Sequence, residues 1–318
     1  MKVTEHIENA RGKTLFSFEI LPPLKGQNIN SIFEHIDPLM EFNPPFIDVT
    51  YHREEYIYKE MDNGLLKKQT VKKRPGTVGI CAAIQNKYKV DAIPHVLCGG
   101  FTKEDTENFL IDLDFLGIDN VMALRGDAVK SEIYFKPEKE GHAYASQLVK
   151  QISNLNKAVY LDEDLQNCSA TEFCIGVGGY PEKHMESPSL DTDIQFLKKK
   201  IELGASYIVT QMFFDNDKFF AFVDKCKTNG IAVPIIPGLK PITTKKQLTL
   251  LPHRFHVDLP ADLITAVTGC KNNEEVKQIG IEWCIKQSQE LKKADIPVLH
   301  YYSMGNANNI YQVAKEIF

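Results

Sequence analysis

The chain has no long hydrophobic run and no excess of basic charge, and each absence excludes a class of protein. Its 318 residues carry 37 Lys and Arg against 42 Asp and Glu, a formal net charge of −5. A slightly acidic chain offers no electrostatic footprint for nucleic acid or for an anionic membrane surface. No stretch approaches the roughly 20 apolar residues of a membrane-spanning helix. The sequence therefore predicts neither a nucleic-acid partner nor a membrane partner.

Cysteine is scarce and scattered. The seven cysteines form no CxxC pair, so the sequence indicates neither a zinc ribbon nor a redox-active dithiol. Cys81, Cys226 and Cys284 stand among apolar neighbours, as small reduced core residues do. The segment 1–13 is too polar for a secretory signal peptide. We expect a protein of the reducing cytoplasm.

The sequence does contain an alternation of strand-like and helix-like segments along its whole length. Amphipathic patterns predict helices over 77–88, 103–116, 192–203 and 217–228. Eight apolar runs predict strands, over 15–20, 46–51, 93–97, 120–124, 173–177, 207–211, 233–237 and 298–302. This alternation is typical of an α/β protein, a (β/α)8 TIM barrel of about 250 residues before insertions.

A doubly wound sheet is the alternative fold. No GxGxxG follows the first predicted strand, which argues against a dinucleotide-binding Rossmann domain. No linker rich in Gly, Ser or Pro divides the chain, so we expect one catalytic barrel domain over 1–318, able to form a homo-oligomer. Two polar segments, 130–141 and 161–171, have the composition of insertions.

The ends of the predicted strands carry polar residues that a barrel would bring together. The strand over 120–124 stops abruptly at Arg125-Gly126-Asp127, where the glycine would allow close approach of a ligand. Glu19 lies inside an apolar strand, where a carboxyl group retains its proton more readily and could serve as a general acid.

Two histidines raise the question of a metal. His95 and His184 are not accompanied by an HxH or HxxxH pair, so the sequence predicts no metal site. The strand ends are instead rich in aromatic side chains, which suit a flat heteroaromatic ligand. These aromatic residues are Tyr180, Phe213, Phe214, Tyr301 and Tyr302.

An ordered set of motifs, spread over about residues 14 to 304, resembles the methylenetetrahydrofolate reductase family. The set is specific because the motifs occur in the same order. The length resembles the bacterial form, a catalytic barrel without a regulatory domain. The motifs are Ser17-Phe18-Glu19 before Pro22-Pro23, Pro94-His95 with Cys98, Leu124-Arg125-Gly126-Asp127, Tyr180-Pro181-Glu182 with His184, and Thr210-Gln211-Met212-Phe213-Phe214-Asp215.

This resemblance implies FAD at the carboxyl-end face of the barrel and a ping-pong reaction. NADH or NADPH would reduce the flavin and leave. Methylenetetrahydrofolate would then be reduced to methyltetrahydrofolate, the methyl donor for methionine synthesis. Glu19 would protonate the folate amine as the methylene bridge opens. Asp127, near flavin and pterin, would make the reduced flavin a better hydride donor.

The resemblance also implies binding residues. Gln211 and Leu251, with Glu19 and Asp127, would contact substrate, and Arg125 and Lys200 would pair with the FAD diphosphate. The implied FAD contacts are Thr50, His95, Arg125, Gly126, Asp127, Tyr144, Ala145, Tyr180, His184, Asp193 and Lys200.

The chain departs from the family pattern at three places. Leu251 stands where some bacterial members have a phenylalanine that stacks on nicotinamide or folate. The segment 302–306, Tyr-Ser-Met-Gly-Asn, replaces a more usual Tyr-Thr-Leu-Asn. The insertion 161–171 is the third departure. These differences bear on affinity and on the preference between NADH and NADPH.

Other functional classes make different predictions. A flavin-free barrel of methyltransferase type that binds pterin or folate would keep Glu19, Asp127 and Gln211 but would be colourless. A metal-dependent hydrolase or an aldolase would need a histidine pair or a Schiff-base lysine, and the sequence indicates neither. A non-catalytic interaction protein gives no reason for polar residues at so many consecutive strand ends.

Overall fold

A closed barrel of parallel strands forms the centre of the computed structural model, which describes residues 1–129, 132, 134–305 and 307–318. The strands are β1 (Leu15–Ile20), β2 (Phe46–Val49), β3 (Glu55–Glu60), β4 (Leu66–Val71), β5 (Asp91–Leu97), β6 (Asn120–Leu124), β7 (Cys174–Gly179), β8 (Tyr207–Met212), β9 (Ile235–Leu239) and β10 (Val298–Tyr302). The barrel order is β1–β10–β9–β8–β7–β6–β5–β2, and β2 pairs with β1 to close the ring. The closed ring confirms the predicted (β/α)8 fold and removes the doubly wound alternative.

Helices surround the barrel and connect its strands. They are α1 (Val3–Asn9), α2 (Asn30–Ile36), α3 (Val78–Tyr88), α4 (Lys103–Phe115), α5 (Ala145–Leu155), α6 (Leu190–Glu202), α7 (Asn216–Thr228), α8 (Gln247–Phe255), α9 (Ala261–Gly269), α10 (Asn273–Lys293) and α11 (Ala307–Ile317). A 3-10 helix over Asp37–Phe42 follows α2. The four helices predicted from amphipathic patterns are confirmed as α3, α4, α6 and α7.

Short polar residues fix where several helices begin. Thr102 and Asp105 form a reciprocal capping box at the start of α4. Ser189 accepts a hydrogen bond from the Thr192 backbone N–H at the start of α6, and Asn272 accepts one from Glu275 at the start of α10. Each cap satisfies a backbone donor that the first helical turn leaves free.

The barrel strands bury both faces, because one face meets the helices and the other meets the barrel interior. On β1, Phe16 and Phe18 point outward into the main core, whereas Ser17 and Glu19 alternate with them and point inward. Near the amino ends of the strands the interior is apolar. Its side chains are Val3, Phe46, Ile93, Met122, Cys174, Tyr207, Val209, Ile236 and Val298.

A tyrosine fills this apolar floor because the neighbouring strand supplies a glycine. The Tyr207 ring on β8 lies beside Gly176 on β7, and the two residues are paired in register. A Cβ atom at Gly176 would lie 2.4 Å from Tyr207 Cζ. Only glycine therefore leaves room for the ring. The N-terminal helix α1 closes the floor from below, where the Val3 backbone N–H donates to Asn120 Oδ1 at 2.9 Å.

The prediction lacked an antiparallel hairpin. Strands β3 and β4 pair with each other outside the barrel, between β2 and α3, on the side of the molecule where the barrel strands end. Their side chains are mostly exposed, and the Lys68 ammonium sits 3.7 Å from the Tyr56 ring centroid. An exposed hairpin has no buried face, so its sequence need not alternate between apolar and polar residues. The hydrophobic pattern therefore did not predict these two strands.

The two predicted insertions are irregular where the structure describes them. Within 161–171, Tyr160 donates to the Ser169 carbonyl and the Leu161 N–H donates to Glu107 Oε2, both at 2.9 Å. In the segment 130–141, Lys130, Ser131 and Ile133 lie outside the described residues, as does Asn306 in the departure 302–306. Among the helices that the structure does describe, none has the length and apolar character to cross a membrane.

Candidate active site

A cavity of about 370 Å³ opens at the carboxyl ends of the barrel strands. Its walls come from β1, β2, β5, β6, β7, β8 and β10 and from the loops that follow them. The cavity brings together nine of the residues predicted from sequence, which are Glu19, Thr50, His95, Arg125, Gly126, Asp127, Tyr180, His184 and Gln211. The face of the barrel is the one at which TIM-barrel enzymes place their chemistry.

One side of the cavity, here called the acid–base wall, consists of Glu19, Asp48, His95 and His300. Glu19 and Asp48 are paired in register on β1 and β2. Glu19 Oε2 lies 3.4 Å from His95 Nε2, and Asp48 Oδ2 lies 3.7 Å from the same nitrogen. Burial lowers the pKa of His95, but the carboxylates of Asp48 and Glu19 outweigh burial and raise it.

The second histidine of the acid–base wall has a different environment. His300 Nδ1 is 2.9 Å from Ser17 Oγ, and its ring meets the Tyr302 ring edge-on at 5.4 Å between centroids. Burial is the main cause that lowers the pKa of His300. His300 is therefore the neutral imidazole of the pair at neutral pH, and His95 is the one suited to carry charge.

The opposite side, here called the glycine wall, consists of Leu124, Gly126 and Gly178. Gly126 has a φ of +81°, which favours glycine, and a Cβ there would lie 3.3 Å from Leu97 Cδ1. A Cβ at Gly178 would lie 3.4 Å from Leu124 Cδ2. The wall therefore exposes backbone and aliphatic surface, against which a flat ring can lie. The exposed Asp127 stands at its edge.

Two arginines form the rim beside the glycine wall. Arg125 binds the Glu186 carboxylate with both terminal nitrogens, at 2.5 and 2.8 Å. That hydrogen bonding is the main cause that lowers the pKa of Glu186. The Arg125 and Arg53 guanidinium groups lie 5.0 and 5.6 Å from the Phe135 ring centroid, and Arg53 also pairs with Glu132.

Several predicted cofactor residues lie behind the glycine wall. Lys200 Nζ donates to the Gly178 carbonyl at 2.7 Å, and Asp193 Oδ2 accepts the His184 backbone N–H at 2.8 Å. Burial lowers the pKa of Lys200 to about 8. Neither Asp193 nor Lys200 is among the described residues that line the cavity. Both hold the strand end and the loop that present Tyr180 and His184.

Three further predicted residues, Tyr144, Ala145 and Leu251, do not line the cavity. Tyr144, 62% exposed, precedes α5, and Ala145 is its first residue, so both lie outside the cavity lining at a helix N-terminus. Leu251 is 1% exposed and packs in an apolar cluster with Met212 and Phe214 rather than against the cavity. Leu251 thus shares its cluster with Met212, which does line the cavity.

Asp48, Arg53 and His300 are among the cavity residues that the sequence did not single out. Asp48 gives the same signal as Glu19, a carboxylate within an apolar strand, and could have been found by it. His300, a polar residue inside the apolar strand β10, gives a similar signal, whereas Arg53 gives no local signal that separates it from a surface residue. Within the described part of the chain, no three His, Cys, Asp or Glu side chains are arranged to hold a metal ion.

Comparison with known proteins adds to this geometry. A family model described as "Methylenetetrahydrofolate reductase" matches residues 2–317. An Arabidopsis thaliana protein, "Methylenetetrahydrofolate reductase (NADH) 1", is 32% identical over 96% of this chain and 49% of its own length. The Escherichia coli "5,10-methylenetetrahydrofolate reductase" is 27% identical over 99% of this chain and 94% of its own. The chain thus spans about half the length of the plant relative.

A solved structure shares the fold. It is a protein from Clostridium thermocellum described as binding two copies of 5-methyl-5,6,7,8-tetrahydrofolic acid. Its TM-score is 0.58, with 15% sequence identity over 99% of this chain and 98% of that one. At this identity the likeness speaks to the barrel architecture.

Proposed function

The chain belongs to the methylenetetrahydrofolate reductase family, and on that premise we propose that it reduces 5,10-methylenetetrahydrofolate to 5-methyltetrahydrofolate. We propose FAD as its cofactor and NADH or NADPH as its co-substrate. The observation that carries the proposal is the division of one cavity into an acid–base wall with Glu19 and a glycine wall. Proton delivery and the binding of flat rings are the two tasks that this reaction sets.

The residues present fit an FAD molecule. The glycine wall leaves aliphatic surface for a flat ring system, and Thr50, His95, Tyr180 and His184 surround it with hydrogen-bonding groups. Arg125 offers two donors to a diphosphate, in place of those it now gives to Glu186. Tyr144 and Ala145 lie at the N-terminus of α5, whose free N–H groups favour an anion.

Lys200 and Asp193 contribute to the cofactor site indirectly in this proposal. They fix Gly178 and His184, and an anionic group nearby would favour the charged form of Lys200. FAD, when bound, would supply the two-electron transfer between the nicotinamide nucleotide and the folate.

Glu19 is the proton donor in this proposal. Its side chain is 12% exposed and faces the cavity from the acid–base wall. The proton would pass to the folate amine nitrogen, which takes the electron pair of the breaking C–N bond. Asp127 and Gln211, across the cavity, would bind the pterin, and Leu251 would act by packing beneath it.

A shared cavity supports a ping-pong order. Glu19, the proposed proton donor, and Gly126, beside the proposed flavin position, line the same 370 Å³ cavity. Nicotinamide and pterin would therefore have to use the same space next to the flavin, one after the other. We further propose that residues 1–318 act as one catalytic barrel domain. Its first and last strands, β1 and β10, pair with each other to complete the barrel. The methyl product would serve methionine synthesis in the cytoplasm.

An absorption spectrum of the purified full chain tests the cofactor. We expect flavin absorbance, and heating should release FAD rather than FMN. Stopped-flow mixing should then show flavin reduction by NADH or NADPH and reoxidation by methylenetetrahydrofolate. A colourless protein that takes up no added FAD, yet binds folate, would support the flavin-free barrel instead.

A further inference from the structure

Asp48 has no assigned role, yet it is the most deeply buried acid of the acid–base wall. The residue is 1% exposed, and its Oδ2 atom has no hydrogen-bond partner among the described residues. An unsatisfied carboxylate oxygen in a barrel interior is costly to desolvate. Such a group calls for an explanation in terms of function.

The neighbour that explains Asp48 is His95. A single imidazole nitrogen, His95 Nε2, faces the carboxyl groups of Asp48 at 3.7 Å and Glu19 at 3.4 Å. The three side chains are 2%, 8% and 12% exposed, for Asp48, His95 and Glu19 respectively. They form one buried cluster of two acids and one base.

The other titratable groups that face this cluster leave its charge unchanged. Burial lowers the pKa of His52 and of His300, and it raises the pKa values of Cys81, Tyr207 and Tyr302. All five are therefore neutral at neutral pH. Arg53 and Glu55, each in an ion pair, and Arg254 also line the cavity. The carboxyl groups that face His95 Nε2 within 4 Å are those of Glu19 and Asp48.

The cluster sets two acids against one base. One imidazolium can balance the charge of one carboxylate, and the three side chains offer no second cation for the other acid. Interacting acids of this kind share their protons as a unit. Both acids line the cavity, and Glu19 is the more exposed of the two and therefore the one placed to pass a proton to a ligand.

We propose that Asp48 is a positioning residue: its carboxyl group shares the single imidazole of His95 with Glu19, and its negative charge helps Glu19 to keep the proton that it donates. The inference rests on the proposed function. Without Asp48, His95 and Glu19 would form a neutral ion pair by themselves, and Glu19 would reach the substrate already ionised.

The test is the pH dependence of the folate half-reaction in Asp48→Asn, measured by stopped flow on the FAD-loaded full chain. The midpoint of the acid-dependent limb should move to lower pH by about 1 unit or more, the size of shift that an unopposed charge partner causes. The rate at neutral pH should fall by roughly tenfold or more. Flavin reduction by the nicotinamide nucleotide, which needs no proton from the cluster, should slow less than the folate half-reaction.

A second variant predicts the opposite direction. His95→Gln leaves two carboxyl groups without a cation, so the same midpoint should move to higher pH, whatever its effect on FAD affinity. Glu107→Gln is the matched control, because it neutralises a buried carboxylate that binds the Leu161 N–H far from the cluster. Its profile should match that of the wild type.

Three outcomes can be told apart. Midpoints that move down in Asp48→Asn and up in His95→Gln support the proposal. An unmoved midpoint in a folded Asp48→Asn that reduces its flavin normally overturns it, and if that variant does not fold, Asp48→Ser carries the same expectation. A wild-type chain that binds no FAD or reduces no folate overturns the proposed function instead.

Discussion

The two walls of the cavity are built by different means. The acid–base wall uses side chains that point inward from β10, β1, β2 and β5, which are consecutive around the barrel. The glycine wall lies on β6 and β7 and the turn after β6. There Gly126 and Gly178 leave backbone and the Leu124 side chain open to the cavity. One wall thus carries groups that exchange protons, and the other carries surface and rim charges that hold a ligand.

The difference teaches that the barrel separates catalysis from binding by strand position. A change on the acid–base wall should affect a step that moves a proton, whereas a change on the glycine wall or behind it should affect the cofactor and the stability of its site. A substitution on one wall that changed the step assigned to the other wall would contradict this separation.

The largest effect is expected from Glu19→Gln. Glutamine retains size and hydrogen bonding but cannot supply a proton, so reduction of methylenetetrahydrofolate should slow by ~10²–10⁴-fold, the usual contribution of a general acid. Flavin reduction by NADH or NADPH needs no such proton and should largely survive. Stopped-flow measurement of both half-reactions checks this.

The control for Glu19→Gln is again Glu107→Gln, which should leave both half-reactions unchanged. Equal slowing of the two half-reactions in Glu19→Gln would contradict the division of labour. It would make Glu19 a structural residue of β1.

An intermediate effect is expected from Asp127→Asn at the edge of the glycine wall. Loss of a negative charge beside the flavin should raise its reduction potential, because the reduced form is then less disfavoured. Folate reduction should slow by roughly tenfold, the effect of about 1.4 kcal/mol in the barrier. Potentiometric titration and stopped flow provide the two measurements.

Asp112→Asn on the outer face of α4 is the matched control, since Asp112 is exposed and distant from the cavity. An unchanged potential in Asp127→Asn would place that carboxylate away from the flavin ring.

The smallest effect is expected from Lys200→Met behind the glycine wall. Burial holds the pKa of Lys200 at about 8 against an ordinary 10.5, so the folded state binds fewer protons than the unfolded state between these values. The stability of the FAD-free wild type should therefore rise with pH through this window. Below pH 8 the cost of burying the ammonium group is present in full.

Removing the ammonium group should stabilise the FAD-free chain at neutral pH by on the order of 1 kcal/mol, since the lost hydrogen bond to Gly178 offsets part of the gain. The gain should shrink as pH rises, and FAD should bind more weakly to the variant. Lys199→Met, exposed in the same run, should change neither quantity. Denaturant unfolding at several pH values would refute this if the two variants behaved alike.

Much of the barrel could be predicted because its strands are buried on both faces. Runs such as 121–124 are apolar throughout, and glycines or polar residues mark their ends, so β6 and its neighbours were found with bounds close to those observed. The hairpin β3–β4 was not predicted because its residues face solvent. Without a core to select apolar side chains, its two strands show no regular alternation of apolar and polar residues.

The site was predictable in part. Glu19 and Arg125-Gly126-Asp127 interrupt apolar strands or end them, and that interruption is visible in the sequence. Arg53 enters the cavity only through a loop whose path depends on Phe135 and Glu132, far along the chain. The burial of Leu251 depends likewise on packing with Met212 and Phe214, which no local pattern reports.

The glycine–tyrosine contact in the barrel floor restricts the order in which the two positions can be replaced during divergence. Any side chain at Gly176 would overlap the Tyr207 ring, so position 207 must become smaller before position 176 can become larger. That first step leaves a void in the floor at a cost of about 3–5 kcal/mol, typical when a large aromatic ring is truncated. The contact therefore constrains divergence, and we expect any descendant of this chain with a larger residue at position 176 to have a smaller one at position 207 as well.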